Sequence, residues 1–207
     1  KNLRRFSELM IQDMSSVDIL ASWLQDESRF EKELSNVYKI WLEYLNPYWS
    51  ENPWSRALEG KKVLVVHPFV DSIQKQYKKR AFLHKHPQTL PDFDLKTIKA
   101  VQGIGGVCNE GFKDWFDAFE YMKAEINKSN YDICILGCGA YGFPLAAHVK
   151  RMGKKAIHMG GATQMLFGIK GKRWEDEYGE FMNEHWIRPS KEETPINAMK
   201  IENGCYW

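Results

Sequence analysis

No stretch of this sequence approaches the roughly 18 consecutive apolar residues that a membrane-crossing helix needs, and no secretory signal pattern opens it. Strong charge of either sign is missing as well. The 29 Lys and Arg against 27 Asp and Glu leave a formal +2, so no concentrated basic surface speaks for nucleic acid as a partner. Cysteine is sparse: Cys108, Cys134, Cys138 and Cys205 include no C-x-x-C pair, which removes the common zinc spacings. Cys134 and Cys138 span a strand and its turn, where core packing accounts for them, and a reducing, cytoplasmic setting is expected. There is no internal repeat and no low-complexity segment. Carboxylates are absent from Cys134 to Gly171, and the tripeptide Asp-x-Glu occurs nowhere.

What is present is material for a core. With 43% hydrophobic and 14% aromatic residues, 207 residues suffice for one substantial α/β domain, alone or with a helical extension. The first 58 residues read as a helical segment packed on that core. "RRFSELMIQDM" is amphipathic, and Ser15 with Asp18 has the form of a capping box opening "VDILASWLQ". Phe30, Leu34, Val37, Trp41 and Leu45 recur at helical spacing. "NPYWSENPW" breaks the pattern with Pro47 and Pro53, and its aromatics suit packing of a linker, with an acceptor site or a membrane surface as the other readings.

From residue 59 onward strands and helices alternate. "KKVLVVHPF" reads as a strand, "DSIQKQYKKRAFL" as a helix, "LKTIKAVQ" as a strand and "FKDWFDAFEYMKAEINK" as a helix. Tyr131–Leu136 is a short apolar strand, Phe143–Met152 a helix closed by Gly153, and "KKAIHMGG" a further strand before a short helix in "ATQMLFGI". From Trp174 on, the tail reads as irregular. This order predicts an α/β fold with a Rossmann-like parallel sheet, flanking helices and an N-terminal helical segment.

Gly137, Gly139 and Gly142 have G-x-G-x-x-G spacing between a strand and a helix. Such a turn lets backbone N–H groups approach a phosphate at the positive end of the helix. The same glycines also suit close packing of helix on strand. For NAD, a carboxylate is expected about 20 residues further on to hold the ribose. Here the next strand ends His158, Met159, Gly160, Gly161, so no NAD is expected.

Ligands of open parallel sheets bind beyond the carboxyl ends of the strands. That rule gathers His67-Pro68-Phe69, the Gln102–Gly106 region, Gly137–Gly142 and His158–Gln164, bordered by Asp71 and Ser72 at a helix start. Two histidines beside two glycine turns point to a polar ligand.

"VLVVHPFVDSIQKQY", "LPDFDLKTIKAVQ", "ILGCGAYGFPLAAHVKRMGKKAIHMGGATQMLFGIKGKRW" and "NGCYW" resemble proteins of bacterial surface-polysaccharide gene clusters over most of the chain. The "GCGAYG…GKKAIHMGG" core and the element order are also similar to the GT-D-type glycosyltransferases. The resemblance implies a nucleotide-sugar donor, a glycan or lipid-linked acceptor, and a cytoplasmic place at the inner membrane face with peripheral membrane contact. The glycine spacing and the strand-end rule put such a donor at Gly137, Gly139, Ala140, Tyr141 and Gly142, with Ser72, Gly160, Gly161, Thr163 and Gln164 around it and Arg80 and Lys172-Arg173 as candidate cationic partners against a reading as solvated surface charges. His67 and His158 are the candidates for acid–base chemistry or ribose contact.

The GT-D metal motif, Asp-x-Glu, is the departure, and it is expected upstream of Lys1. Mn or Mg would then arrive with the diphosphate, and no metal site is expected within residues 1–207. Asp92-Phe93-Asp94 matches an Asp-x-Asp pattern but enters a strand, so the two carboxylates are expected to face solvent around a buried Phe93. "EDEY" at 175–178 reads as a solvated acidic run. A Rossmann-type oxidoreductase and a non-catalytic partner in polysaccharide assembly remain as alternatives to the glycosyltransferase.

Overall fold

The computed structural model describes residues 2–103 and 111–207. Its elements are α1 (Asn2–Met14), β1 (Ile19–Ser22), β2 (Tyr38–Trp41), β3 (Lys62–His67), α2 (Val70–Tyr77), β4 (Asp94–Lys99), α3 (Trp115–Lys128), β5 (Ile133–Leu136), α4 (Gly142–Arg151), β6 (Lys155–His158), α5 (Thr163–Leu166) and α6 (Lys172–Tyr178), joined by short 3₁₀ turns.

Four strands form a parallel sheet in the order β4-β3-β5-β6. The two central strands are buried on both faces, which is why they read as continuous apolar runs rather than alternating ones. Side chains nevertheless alternate between two core layers. Val63, Val65, Ile133 and Ile135 face a layer closed by Phe69, Ile73, Met165, Leu166, Phe167 and Trp174. Leu64, Val66, Cys134 and Leu136 face the opposite layer with Phe119, Met122, Ile126, Leu145 and Val149. The result is the expected α/β architecture, a parallel sheet between helices.

Local chemistry sets the helix ends. Asp114 caps α3, its Oδ1 accepting the N–H groups of Phe116 (2.9 Å) and Asp117 (3.0 Å). Pro144 stands in the first turn of α4, where its missing N–H costs nothing. Gly153 then ends that helix with a φ of +77°, a value that L side chains rarely adopt.

The N-terminal region differs from expectation after its first helix. The residues of the two further helices expected up to Leu45 instead form β1 and β2, a separate parallel pair that sets Ile19 beside Tyr38 and Ser22 beside Trp41. The helical spacing was misleading because a helix needs a face to bury: of that stripe Leu34 is buried, whereas Trp41 is 72% exposed. Ser15 opens no capping box; its Oγ donates to the Gln12 carbonyl at 2.9 Å. The Glu27 carboxylate accepts the N–H groups of Trp23 (3.0 Å) and Leu24 (3.1 Å) and the Ser22 hydroxyl, fixing a turn where the sequence suggested continuous helix. α1 itself is tied to α4 by Arg151 to buried Asp13 at 2.6 Å. The tail is also more regular than expected, since α6 contains the acidic run, whose Glu175 pairs with Arg188.

The sheet centre carries the stability. Ile135 is fully buried in β5, so Ile135→Ala removes its apolar contacts and leaves a cavity, at a cost of about 2–5 kcal/mol. Urea unfolding of the two chains, with an unchanged slope and a lower midpoint, checks this.

Candidate functional site

Sheet order places the site. The chain lays β4 on one side of β3, then crosses back to add β5 on the other side, so the strand order reverses between β3 and β5. A crevice opens beyond the carboxyl ends of two such strands because their following helices diverge to opposite faces. A cleft of about 520 Å³ lies at that point, and its floor is His67 at the end of β3 and Gly137 at the end of β5.

Two aromatic groups wall the cleft. Trp115 stacks on Tyr141 with ring centroids 4.8 Å apart and planes 3° from parallel. Phe69 meets Trp207 edge-on at 6.0 Å, and Tyr206 joins them in the lining. The lining also includes Gln102, Ile201, Gln164 and Asp114, its one carboxylate side chain among the described residues; no Lys or Arg is on it. The Ile104–Gly106 part of the expected strand-end region, and Cys108, lie outside the described residues.

The three glycines of the turn do different things. A Cβ on Gly137 would lie 2.6 Å from both His67 Cδ2 and Thr163 Cβ, so this glycine allows the β3 end and the α5 start to close on β5. A Cβ on Gly142 would lie 2.5 Å from His158 Cε1, so here the His158 ring packs against the first residue of α4. Gly139 has a φ of +56° and nothing within 4 Å of its Cβ position. Only this middle glycine faces open space, where a ligand can meet the backbone. The N–H groups of Cys138, Gly139 and Ala140 have no acceptor among the described residues.

The neighbouring helix starts are already satisfied. Glu193, buried in the tail, accepts the N–H groups of Asp71 (2.8 Å) and Ser72 (3.2 Å) with one oxygen and the Ser72 hydroxyl with the other. Glu193 thereby caps α2 and engages the Ser72 hydroxyl, as Asp114 caps α3. The start of α4 has no side-chain cap. The free donors at the cleft are those of residues 138–140, in the 3₁₀ turn that leads into α4; the first N–H of α4 itself bonds the Gly139 carbonyl.

The structure brings together His67, Gly137, Gly139, Ala140, Tyr141, Gly161 and Gln164 in one lining. Gln164 is buried, and its Nε2 donates to the carbonyls of Lys170 and Tyr206, both at 3.1 Å, which anchors the tail. Thr163 is also buried and Gly160 forms the preceding turn with a φ of +57°, neither on the lining. Arg80 stands elsewhere. α2 runs back from the cleft, so Arg80 reaches the opposite edge of the sheet and pairs with Asp92 at 2.7 Å. Arg173 pairs with Glu202 and donates to the Tyr206 hydroxyl at 3.1 Å, bracing the wall from behind. His158 is off the lining, with its Nδ1 buried and unpartnered among the described residues.

Two features of the site escaped the sequence reading. Trp115 and Tyr141 belong to segments assigned correctly, but nothing in their spacing says that they stack. Ile201, Tyr206 and Trp207 come from the tail, whose "NGCYW" was the only signal. That tail returns to the cleft because Arg188 binds the Trp207 carbonyl at 2.7 Å and the Trp207 indole donates to the Glu193 carbonyl at 3.3 Å.

The donor set does not suit a divalent cation. Both Asp114 oxygens are engaged, Oδ1 by the helix amides and Oδ2 by Asn2 at 3.0 Å, whereas Mg or Mn needs several free hard oxygens. No cluster of three or more His, Cys, Asp or Glu suited to a metal occurs among the described residues. Phe93 is buried between Asp92 and Asp94, which stand far from the cleft at the start of β4.

Burial dominates the titration of the site. It lowers His67 to about 3 and His158 to about 4, and pushes the Cys138 thiol up to about 12. Both histidines are neutral in the folded chain and take up protons near 6.5 when it unfolds. Below 6.5 the unfolded state therefore binds more protons, and stability falls as pH drops from 6.5 towards 4, by up to about 1.4 kcal/mol per pH unit for each ring. Urea midpoints at pH 7.5, 5.5 and 4.5 check the slope, and His158→Gln is expected to flatten it.

The glycines give a second check. Gly137→Ala forces a 2.6 Å contact on a packed ring and is expected to lower the melting temperature well beyond Gly139→Ala, which carries only the left-handed backbone cost of roughly 1–2 kcal/mol. Thermal melts of the two variants decide this. No protein-family model, no curated protein and no solved structure matches the chain.

Proposed function

We propose that the protein is a glycosyltransferase that moves a sugar from a nucleotide-sugar donor to a glycan or lipid-linked acceptor in surface-polysaccharide synthesis, with the cleft as its donor site. One observation carries the reading. At the switch point of a parallel sheet, the 3₁₀ turn that leads into α4 offers free backbone amides at residues 138–140 around an unobstructed Gly139, while the starts of α2 and α3 are filled by Glu193 and Asp114. A diphosphate fits such a place because its oxygens accept N–H groups and its charge is favoured at the positive helix end. The aromatic walls suit a nucleobase, whose faces are apolar and whose edges are polar.

The chemistry asked of the site is modest. An acceptor hydroxyl attacks the anomeric carbon, the bond from that carbon to the diphosphate oxygen breaks, the hydroxyl proton passes to water, and the amides at residues 138–140 steady the charge that develops on the departing diphosphate. The lining has no guanidinium or ammonium among the described residues, so these amides and the helix end supply the stabilisation. No step is assigned to a metal, since the one carboxylate on the described lining serves as the cap of α3. NAD fits poorly because no carboxylate stands after β6 to hold its ribose. A non-catalytic donor-binding partner in polysaccharide assembly is the second reading. It is favoured by the lack of a free carboxylate on the described lining to serve as a base.

Calorimetry with UDP, GDP, UDP-sugars and NAD, each with and without Mn, is the test. A nucleoside diphosphate is expected to bind and NAD is not; tight NAD binding without nucleoside diphosphate binding overturns the proposal. Gly139→Val, which fills the open approach, is expected to lower affinity about tenfold or more in a folded chain, the equivalent of one lost charge-assisted hydrogen bond. Release of sugar from UDP-sugars in the presence of acceptor glycans separates the enzyme from the silent partner.

A further inference from the structure

His67 is held on three sides. The Phe69 N–H donates to its Nδ1 at 3.0 Å, the Phe69 ring lies edge-on at 4.9 Å, and Gly137 closes on its Cδ2 so tightly that a Cβ would not fit. The side chain is 3% exposed, yet it lines the cleft. A nitrogen that accepts a hydrogen bond carries no proton, so the single proton of the neutral ring sits on Nε2. That atom has no acceptor among the described residues, and His67 reaches the cleft as one of its lining residues.

We propose that His67 is a specificity residue: a fixed Nε2–H donor that selects a ligand oxygen able to accept a hydrogen bond, such as a diphosphate oxygen, and moves no proton itself. This rests on the nucleotide reading of the cleft. Once a ligand fills the cleft and displaces water, a donor left without a partner is costly; a ligand that supplies an oxygen avoids that cost, while an amine or another donor does not. Proton transfer asks for the opposite properties, a ring that titrates near the working pH with a nitrogen free to take the proton. Here Nδ1 is already occupied, and burial holds the ring well below the ordinary histidine range. The titratable groups around it are Lys99 beside it in the β4 register, Glu193 at the start of α2, Asp114 of α3, Cys138 and Tyr141 of the glycine turn, and Tyr206 of the tail. None of them enters the shift, which burial alone causes.

The experiment has two arms on the full chain. Long-range proton–nitrogen correlation spectra from pH 5 to 8 are expected to show the Nε2–H tautomer throughout, without titration. An Nδ1–H tautomer, or a titration inside that range, overturns the proposal. The second arm is UDP calorimetry on two variants checked by thermal melting. His67→Gln places an amide N–H near the Nε2 position, whereas His67→Asn keeps an acceptor for Phe69 but cannot reach the cleft. The asparagine variant is expected to lose about tenfold in affinity and the glutamine variant much less. Equal affinities for the two variants overturn the donor role. If the unaltered chain does not bind UDP, the nucleotide reading falls by itself, and the spectra decide the His67 assignment without it.

Discussion

The parallel pairing of β3 with β5 is the constraint on which the rest of the molecule depends. Four register pairs, from Val63 with Ile133 to Val66 with Leu136, bring together two strands that are 70 residues apart in the chain. Both strands are buried on both faces, so their backbone polar groups have no water to turn to and the ladder must be complete. The Gly137 N–H extends that ladder by bonding the Val66 carbonyl at 3.0 Å, which sets the ends of β3 and β5 level. His67 and the glycine turn are neighbours for this reason alone.

Close packing then divides the turn into structural and open positions. Gly137 and Gly142 are consumed by contacts, one with His67 and Thr163 and the other with His158. Those contacts hold the backbone on either side of Gly139, whose own Cβ position is open. The tail contributes from the other direction. Glu193 satisfies α2, and Arg188, Gln164 and Arg173 pin the segment that carries Tyr206 and Trp207. A stretch with little regular structure thus becomes a wall of the cleft through hydrogen bonds to its backbone carbonyls.

Much of the sheet was legible beforehand because buried parallel strands have a distinctive composition. "KVLVVH" and "ICIL" are β-branched or apolar throughout, and the helices between them show one apolar face. The same logic failed before residue 58. Phe30, Leu34, Val37, Trp41 and Leu45 have helical spacing without a helical surface to bury against, and the Glu27 carboxylate stabilises a turn that competes with it. At the site, Gly139 stood out from its spacing, whereas Arg80 did not belong. A helix that starts at the cleft must run away from it, so a residue beyond its last turn arrives at the far edge of the sheet.

What the sequence by itself determined is the alternating order of strands and helices, the strand ends that carry His67 and Gly137, and the absence of a ribose carboxylate after β6. These are local properties, set by side-chain period, by glycine and by residue type. Tertiary structure alone decided which donors remain free. Whether a helix start is open or capped depends on a carboxylate more than 120 positions away, as Glu193 is from Ser72. Whether a histidine titrates depends on what surrounds it, and for His67 those groups come from Phe69, the turn after β5, α3 and the tail. Burial and long-range hydrogen bonding are properties of the packed chain, and no spacing along the sequence encodes them.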